Sequence, residues 1–272
     1  MSELALLRSR AAAVRGHIVA MAAGPTGTHL GGALSATDIL VALYFHVLRV
    51  RPEQPAWPDR DHFILSKGHA SAALYATLAE RGFLPVAELS AYGRTGGRLF
   101  AHPTPLVPGV EFATGSLGHG LSLGVGLALA AARLGRPNRV YVLLGDGELQ
   151  EGSVWEAAMA AGQFGLDNLV AVVDRNQLQI NGRTEHRMRL EPLAERWESF
   201  GWEVSHVDGH NLRALCSAFD RMPIEAGRPS VLVADTVKGR GIGFLEGRRQ
   251  SHYAVLGPAA HRRALAALGE SP

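Results

Sequence analysis

The stretch from Gly145 to Asn176 constrains this chain most, because an oxygen-bearing side chain closely follows an apolar, strand-like run at each of its ends. Asp146 follows the run at 139–144, and Asn176 follows the run at 169–173. The segment between them has helical spacing, so the pattern predicts two parallel strands joined by a crossover helix. Such a unit brings both side chains to the same edge of a sheet.

The residue types at this edge suit a metal-bound diphosphate. The carboxylate of Asp146, the amide oxygen of Asn176 and a backbone carbonyl are ligands that Mg²⁺ or Ca²⁺ accepts, with water and phosphate oxygens completing the shell. Gly145 and Gly147 let the backbone approach the phosphates. The amide groups that open the following helix can receive the negative charge.

Composition places the chain among globular proteins and argues against two classes of partner. It has 272 residues, 47% hydrophobic and 19% charged, which is enough to build a sizeable core. The formal net charge of +2 gives no single-sign field, so neither nucleic acid nor a membrane surface is expected as a partner. Because Cys216 is the single cysteine, disulfides and cysteine-based zinc sites within one chain are excluded.

The N-terminal segment resembles an amphipathic helix and not a signal peptide, because charged and apolar residues alternate in MSELALLRSRAAAVRGHIVAMAA. No run approaches 18 apolar residues without Gly, Pro or charge, so we expect no transmembrane helix. These features indicate a cytoplasmic enzyme.

Five strand-like runs alternate with helical segments along the chain. The pattern predicts an α/β fold, a parallel sheet flanked by helices on both faces, in a single domain over 1–272. The predicted strands are 62–65, 139–144, 168–173, 202–207 and 230–235. The predicted helices are 3–22, 35–48, 69–81, 118–134, 151–165, 189–199, 210–222 and 258–268. Ser35 and Asn211 are the predicted N-caps of two of them, and the Pro- and Gly-rich segments 51–61 and 93–117 are predicted loops.

Four polar motifs each follow one of the predicted strands. They begin at Ser66, Gly145, Asp174 and Thr236. Because open parallel sheets bind ligands outside the carboxyl ends of their strands, these motifs are expected to form one site.

The same motifs resemble a known family. GDG followed, after a helix and a strand, by Asn is the thiamine diphosphate motif, and GDGELQEG with DRNQLQING is similar to transketolase. The segments THLGG, LSKGHASAALYA, FAHP, PGVEFATGSLGHGLS and TVKGRGIGF extend the resemblance over most of the chain. They stand in the order expected for the N-terminal, diphosphate-binding part of a transketolase.

The resemblance implies a set of cofactor-binding residues. The metal, Mg²⁺ or Ca²⁺, would be held by Asp146, Asn176 and the backbone carbonyl of Leu178. Thiamine diphosphate would contact a second set of residues, given at the end of this paragraph. One of them, Glu151, would also join a network that links cofactor sites across an interface. The set is His69, Gly115, Ser116, Leu117, Gly147, Glu151, Asn176 and Lys238.

Five histidines match positions that line the substrate channel or cofactor pocket of the family. They are His29, His69, His102, His252 and His119. His252 lies in a looser match, and His119 stands where transketolases often have Gln. Imidazole suits such a channel because the substrate hydroxyls must lose and regain protons near neutral pH. The other histidines, such as His210, lie outside any motif and are interpreted as structural or exposed.

The resemblance also implies a partner. In the family, the glutamate that activates the cofactor lies on a second α/β domain, and the 34 residues after Lys238 are too few to form one. The chain therefore resembles the N-terminal subunit of a split transketolase, which would pair with a C-terminal subunit in an α2β2 heterotetramer. It would transfer a two-carbon ketol unit from a ketose phosphate to an aldehyde.

Three other functions remain open from the sequence. A split acyloin synthase would use the same cofactor with an acyl donor such as pyruvate. The α subunit of a 2-oxo acid dehydrogenase shares the GDG-to-Asn motif, but LSKGHA and GDGELQEG argue against it. A non-catalytic binding subunit is disfavoured because Asp146, Asn176, His69 and His102 are intact.

Overall fold

A computed structural model describes residues 2–269. Its central sheet is parallel throughout, with the strand order β1-β2-β3-β7-β6, and a separate two-stranded hairpin pairs β4 with β5. The strands are β1 (His62–Leu65), β2 (Val140–Gly145), β3 (Leu169–Arg175), β4 (Leu178–Gln179), β5 (Gly182–Arg183), β6 (Glu203–Asp208) and β7 (Ser230–Asp235).

Helices cover the sheet and follow its strands. They are α1 (Glu3–Ala22), α2 (Leu30–Ala42), α3 (Ser71–Arg81), α4 (Gly120–Arg133), α5 (Gly152–Gln163), α6 (Thr184–Arg187), α7 (Leu193–Ser199), α8 (Leu212–Phe219) and α9 (Pro258–Ala267). A π-helical segment, Leu43–Val47, continues α2. Short 3₁₀ turns occupy Gly68–Ala70, Val86–Ala91, Gly147–Gln150 and Arg249–His252.

The predicted fold class is confirmed, and the predicted sheet strands agree with the observed ones to within two residues. Every residue of β2 and β3 is buried, as expected for near-continuous apolar runs with helices on both faces. In the register of this pair Val142 lies opposite Ala171, and Gly145 lies opposite Asp174. The crossover through α5 therefore places Asp146 beside the end of β3.

The predicted start of the second helix was wrong. It begins at Leu30, with His29 in the N-cap position, and Ser35 lies inside the helix. The Ser35 hydroxyl donates to the Asp174 carboxylate at 2.6 Å and to the Gly32 carbonyl at 3.1 Å. The sequence did not show this role, because Asp174, the partner of the Ser35 hydroxyl, is 139 residues away.

Other helix ends also differ from the predicted ones. The helix predicted over 189–199 begins at Leu193, after Pro192, and the one predicted over 210–222 spans Leu212–Phe219. Asn211 is confirmed as an N-cap, since its side chain accepts from the Ala214 amide at 3.2 Å. The hairpin and α6 were not predicted, because each is only a few residues long.

Two apolar layers enclose the sheet. One contains the buried faces of α1, α2, α3 and α8, and the other those of α4, α5 and α7. The segment Leu30–Val47, with a mean hydropathy of 1.4, is long and apolar enough to cross a membrane when judged by length and composition alone. Because 83% of it is buried inside the domain, it forms a core helix here.

Candidate active site at the carboxyl edge of the sheet

A cavity of about 490 Å³ lies at the carboxyl ends of β1, β2, β3 and β7, where the four motifs were expected to meet. The volume is within the range of small-molecule and cofactor sites. Most of the predicted site residues line it. They are His29, His69, His102, Gly115, Leu117, Asp146, Gly147, Glu151, Asn176, Leu178, Lys238 and His252.

Ser116 and His119 are placed differently. Both are exposed and lie outside the set of described residues that line the cavity. His119 occupies the N-cap position of α4, and its Nδ1 lies 3.2 Å from the Ser116 carbonyl and 3.0 Å from that of Leu117. In this structure His119 therefore stabilises the bend before α4.

Asp146 is buried and strongly hydrogen-bonded. Its Oδ1 accepts from the Gly147 amide at 2.8 Å. Its Oδ2 accepts from the Gln177 amide at 2.6 Å, from the Thr184 hydroxyl at 3.0 Å and from Arg175 Nη1 at 3.1 Å. The carboxylate thus holds the segment after β3 against the GDG turn, with Oδ1 the less engaged oxygen.

The turn after β3 brings the other two predicted metal ligands to the same cavity. Gln177 has φ 63°, a left-handed conformation that non-glycine residues rarely adopt. This reversal lets the Leu178 amide donate to Asn176 Oδ1 at 3.2 Å and leads into the β4–β5 hairpin. Strain of this kind persists where surrounding contacts fix the backbone, as the Asp146 carboxylate does here.

The oxygen atoms of Asp146, Asn176 and Leu178 fit a hard divalent cation. Burial, followed by the nearby Asp174 carboxylate, raises the pKa of Asp146, and Arg175 offsets this in part. A cation would favour the ionised form. The described residues contain no group of three His, Cys, Asp or Glu suited to a metal, so a cation here would also depend on the amide and carbonyl oxygens and on its diphosphate ligand.

Glu148 was not predicted as a site residue, yet it joins three segments of the cavity wall. It is 2% exposed and accepts from the Ser66 hydroxyl at 2.5 Å, the Gly118 amide at 2.9 Å and the Gly145 amide at 3.0 Å. Burial raises the pKa of its carboxyl, and these donors act in the opposite direction. Glu148 therefore ties the loop before α4 to the GDG turn.

A buried ion pair, also not predicted, lies beneath the cavity. The Lys67 ammonium contacts the Asp174 carboxylate and donates to the Gly32 carbonyl at 3.1 Å. Asp174 also accepts from the hydroxyls of Ser35 and Thr236. Burial alone would raise the pKa of Asp174, but Lys67 and these hydroxyls lower it. The pair fixes the ends of β1, β3 and β7 to α2.

Four histidines cluster on one side of the cavity. The ring centroid of His29 lies 5.5 Å from that of His69, 5.9 Å from that of His102 and 5.4 Å from that of His252. The rings of His69 and His252 stack at 5.6 Å. A Cβ atom on Gly115 would lie 2.7 Å from the His102 ring, so this glycine lets the ring approach the cavity.

Three of these imidazoles are held in the neutral form. Burial lowers the pKa of His29 to about 4, with His102 and Lys238 adding to the shift. Burial and Lys238 lower the pKa of His252 to about 3, and burial and Lys67 hold the pKa of His69 well below its usual value. A neutral ring can donate through one nitrogen and accept through the other. His29 Nδ1 is buried without a hydrogen-bond partner among the described residues.

Lys238 connects the histidines to the predicted metal ligands. Its ammonium donates to the Leu178 carbonyl at 3.0 Å and lies 2.9 Å from His252 Nδ1. Burial, followed by the charge of Lys67, lowers the pKa of Lys238 to about 8. Because Lys67 is paired with Asp174 and the wall also carries Asp146, Glu148 and Glu151, a diphosphate here would depend on a bound cation as well as on Lys238.

Sequence reasoning also missed Gly32, Lys67, Glu148, Gln150, Gln179, Ile180 and Asn181 as cavity residues. A signal was present, because most of these positions lie inside the motifs SKGH, GDGELQEG and DRNQLQING. The motifs were assigned to the site, but which of their side chains point inward depends on the local turns.

A parallel sheet whose strand ends carry an acid–amide pair, a buried lysine and a histidine cluster around one cavity is typical of a cofactor-binding domain. Comparison with known proteins identifies the family and its cofactor. Residues 9–272 match the family described as transketolase, thiamine diphosphate binding domain, and the chain belongs to the transketolase family. The resemblance seen in the sequence is thereby confirmed.

Several curated relatives are single subunits of similar length. One is a subunit of the apulose-4-phosphate transketolase of Phocaeicola vulgatus, which is 46% identical over 84% of this chain and 81% of its own length. Another is a subunit of the 6-deoxy-6-sulfo-D-fructose transketolase of a Clostridium species, which is 43% identical over 88% of each chain.

Several solved structures similar to this chain are larger transketolases. That of Campylobacter jejuni superposes with a TM-score of 0.94 at 33% identity, covering all of this chain and 44% of its own. The transketolase of Pichia stipitis, in complex with sedoheptulose-7-phosphate, superposes with a TM-score of 0.93 at 31% identity. The match covers all of this chain and 41% of that one. This chain thus spans about two fifths of these transketolases.

Proposed function

We propose that this chain is the N-terminal subunit of a two-component transketolase that transfers a two-carbon ketol unit from a ketose to an aldehyde. The observation that carries the proposal is the histidine cluster, which shares one cavity with Asp146, Asn176 and Lys238. Such a cavity combines groups for an anionic cofactor with groups for hydroxylated substrates. The two relatives named as transketolase subunits support it.

The proposed roles follow from the contacts of each side chain. Asp146, Asn176 and the Leu178 carbonyl would hold Mg²⁺ or Ca²⁺, with the diphosphate oxygens against Gly147 and Lys238. When bound, thiamine diphosphate would supply the nucleophilic chemistry that a ketol transfer needs.

The neutral histidines would handle substrate hydroxyls. His69 and His252 stack with their ring planes inclined by 30°, and His29 lies edge-on to both. The buried His29 Nδ1, which is without a partner in the described part of the protein, is available to a substrate hydroxyl. A neutral imidazole beside a hydroxyl can take up and return its proton without first losing one of its own.

The partner is proposed to be a C-terminal transketolase subunit with the pyrimidine-binding domain, in an α2β2 heterotetramer in the cytoplasm. The relatives whose names describe one subunit of a transketolase support the existence of a second polypeptide. Glu151 lies at the N-terminus of α5, exposed and on the cavity wall, where it could meet a partner.

The test is to express this chain with its candidate partner and assay the purified complex. With Mg²⁺ and thiamine diphosphate, we expect two-carbon transfer from a ketose phosphate to an aldose, measured by chromatography of the products. Pyruvate as the sole donor provides the comparison. Acyl transfer from pyruvate without transfer from any ketose would contradict the proposed ketol transfer.

A further inference from the structure

A buried chain of hydrogen bonds leads from α1 to the backbone beside Lys238. Arg15 in α1 pairs with Asp38 in α2 through two contacts, Nη1 to Oδ1 at 3.1 Å and Nη2 to Oδ2 at 2.5 Å. Asp38 Oδ2 lies 2.8 Å from His210 Nδ1, and His210 Nε2 accepts from the Val237 amide at 2.8 Å. The side chains of Arg15, Asp38 and His210 are 11%, 6% and 7% exposed.

These contacts fix the tautomer of His210. Because the Val237 amide donates to Nε2, that nitrogen is the acceptor, and Nδ1 carries the hydrogen that is donated to Asp38. Burial alone would raise the pKa of Asp38, but the hydrogen bond from His210 and the Arg15 guanidinium lower it. An ionised Asp38 therefore keeps His210 oriented toward Val237.

Several hydrogen bonds hold the backbone around Lys238, including one from the Gly247 amide to the Lys238 carbonyl at 2.9 Å. The Thr236 hydroxyl donates to Asp174, the Val237 amide donates to His210, and the Gly239 amide donates to the Gly31 carbonyl at 3.0 Å. Val237 directly precedes Lys238, and its amide donates to the side chain of His210, which lies in the loop before α8.

We propose that His210 is a positioning residue, which directs the Lys238 ammonium into the cofactor cavity by fixing the Val237 amide. The inference rests on the proposed function, since it gives Lys238 a role toward the diphosphate. His210 lies outside the residues that line this cavity in the described structure, and it acts through the backbone.

The first test reads the backbone in the absence of cofactor. His210→Leu removes donor and acceptor together, whereas His210→Gln keeps one of each. Hydrogen exchange at the Val237 amide should accelerate at least tenfold in His210→Leu and return toward the wild-type rate in His210→Gln. His206→Leu is the matched control, since His206 is an exposed histidine on β6. Unchanged exchange in His210→Leu would overturn the proposal.

The second test is a double-mutant cycle on the assembled complex. His210→Leu and Lys238→Ala should each weaken thiamine diphosphate binding, His210→Leu by roughly tenfold, and the double variant should be no weaker than Lys238→Ala alone. Additive losses would show that His210 acts apart from Lys238 and would overturn the proposal. If His210→Leu does not fold, His210→Gln is measured in its place. We then expect an affinity for thiamine diphosphate close to that of the wild type. A loss of affinity equal to that of Lys238→Ala would contradict the proposal.

The failure of this inference differs from the failure of the proposed function. Wild-type affinity in Lys238→Ala would overturn the inference and leave ketol transfer standing. A wild-type complex without transketolase activity would contradict the proposed function, while the exchange rate of the Val237 amide would still decide whether His210 holds this backbone.

Discussion

At the scale of single residues, Asp146 has two tasks that can be separated. It holds the Gln177 amide and is the proposed metal ligand. Asp146→Asn keeps an oxygen and most of the shape but removes the charge. We expect Mg²⁺-dependent thiamine diphosphate binding to be strongly weakened, because a neutral amide oxygen binds the cation less tightly than a carboxylate does. Calorimetry on the assembled complex measures it, with Asp59→Asn on an exposed loop as the control. Full affinity in Asp146→Asn would remove Asp146 from the metal site.

The histidine cluster leads to a kinetic prediction. His69→Ala and His102→Ala should each lower turnover by on the order of 10²-fold, while cofactor affinity stays within a few fold, because the rings meet substrate hydroxyls. Steady-state kinetics with saturating thiamine diphosphate is the measurement. His186→Ala, at an exposed position, should leave turnover unchanged. Wild-type turnover in both cluster variants would mean that these rings are structural.

The same cluster makes stability depend on pH. The folded-state pKa values of His29 and His252, about 4 and about 3, lie below the usual 6.5. The unfolded chain therefore takes up protons first as the pH falls, so this stability is complete above about pH 6.5 and is lost toward the folded values. Melting temperatures between about pH 7 and about pH 4 should fall, and the double variant His29→Asn with His252→Asn should show a shallower decline. An equal decline in both proteins would contradict the assignment.

The sequence predicted which residues belong to the site better than it predicted the contacts that they make. The four motifs that follow parallel strands reached one cavity because open parallel sheets bind ligands at the carboxyl ends of their strands. Glu148 and Lys67 were missed because their roles depend on burial and on partners 82 and 107 residues away. His210 was interpreted as structural or exposed, since its carboxylate partner is 172 residues distant.

At the scale of elements, two glycines of α4 should respond in opposite directions to the same change. A Cβ atom on Gly124 would lie 2.6 Å from Val142 Cγ2, whereas one on Gly126 would have no described atom within 4 Å. Gly124→Ala should cost about 1–3 kcal/mol of unfolding free energy through overpacking against β2. Gly126→Ala should add about 0.5–1 kcal/mol by reducing backbone entropy. Denaturant unfolding of the assembled complex at one protein concentration distinguishes them, and equal effects would contradict the packing of α4 on β2.

Strands were predicted more accurately than helix starts for a physical reason. A strand buried on both faces is a short apolar run bounded by polar residues, so both of its ends are visible. The start of α2 is set by the packing of His29 and Gly32 around His69, which is a tertiary contact. Ser35 was mistaken for a cap because it has the residue type of a cap.

At the scale of the whole molecule, the chain is expected to be inactive alone. Large apolar side chains are exposed near the cavity and its hairpin, including Ile180 at 65% and Met188 at 59%. Such surface is more common at interfaces than on isolated domains. The purified chain should therefore self-associate in light scattering and transfer no ketol unit until the C-terminal subunit is added. Robust transfer by this chain without a second protein would refute the two-component proposal.

The buried pair of Lys67 and Asp174 has a consequence for how the protein is made. A ribosome delivers the chain from its N-terminus, so β1 and its lysine emerge long before β3 supplies the carboxylate. Until then the ammonium must remain in water, because an isolated charge is too costly to bury. Thr236, Lys238 and His252 emerge later still. With the cofactor roles proposed above for these residues, we expect cofactor capture to follow the synthesis of β7 and the segment after it, and not to guide the folding of the first half of the chain.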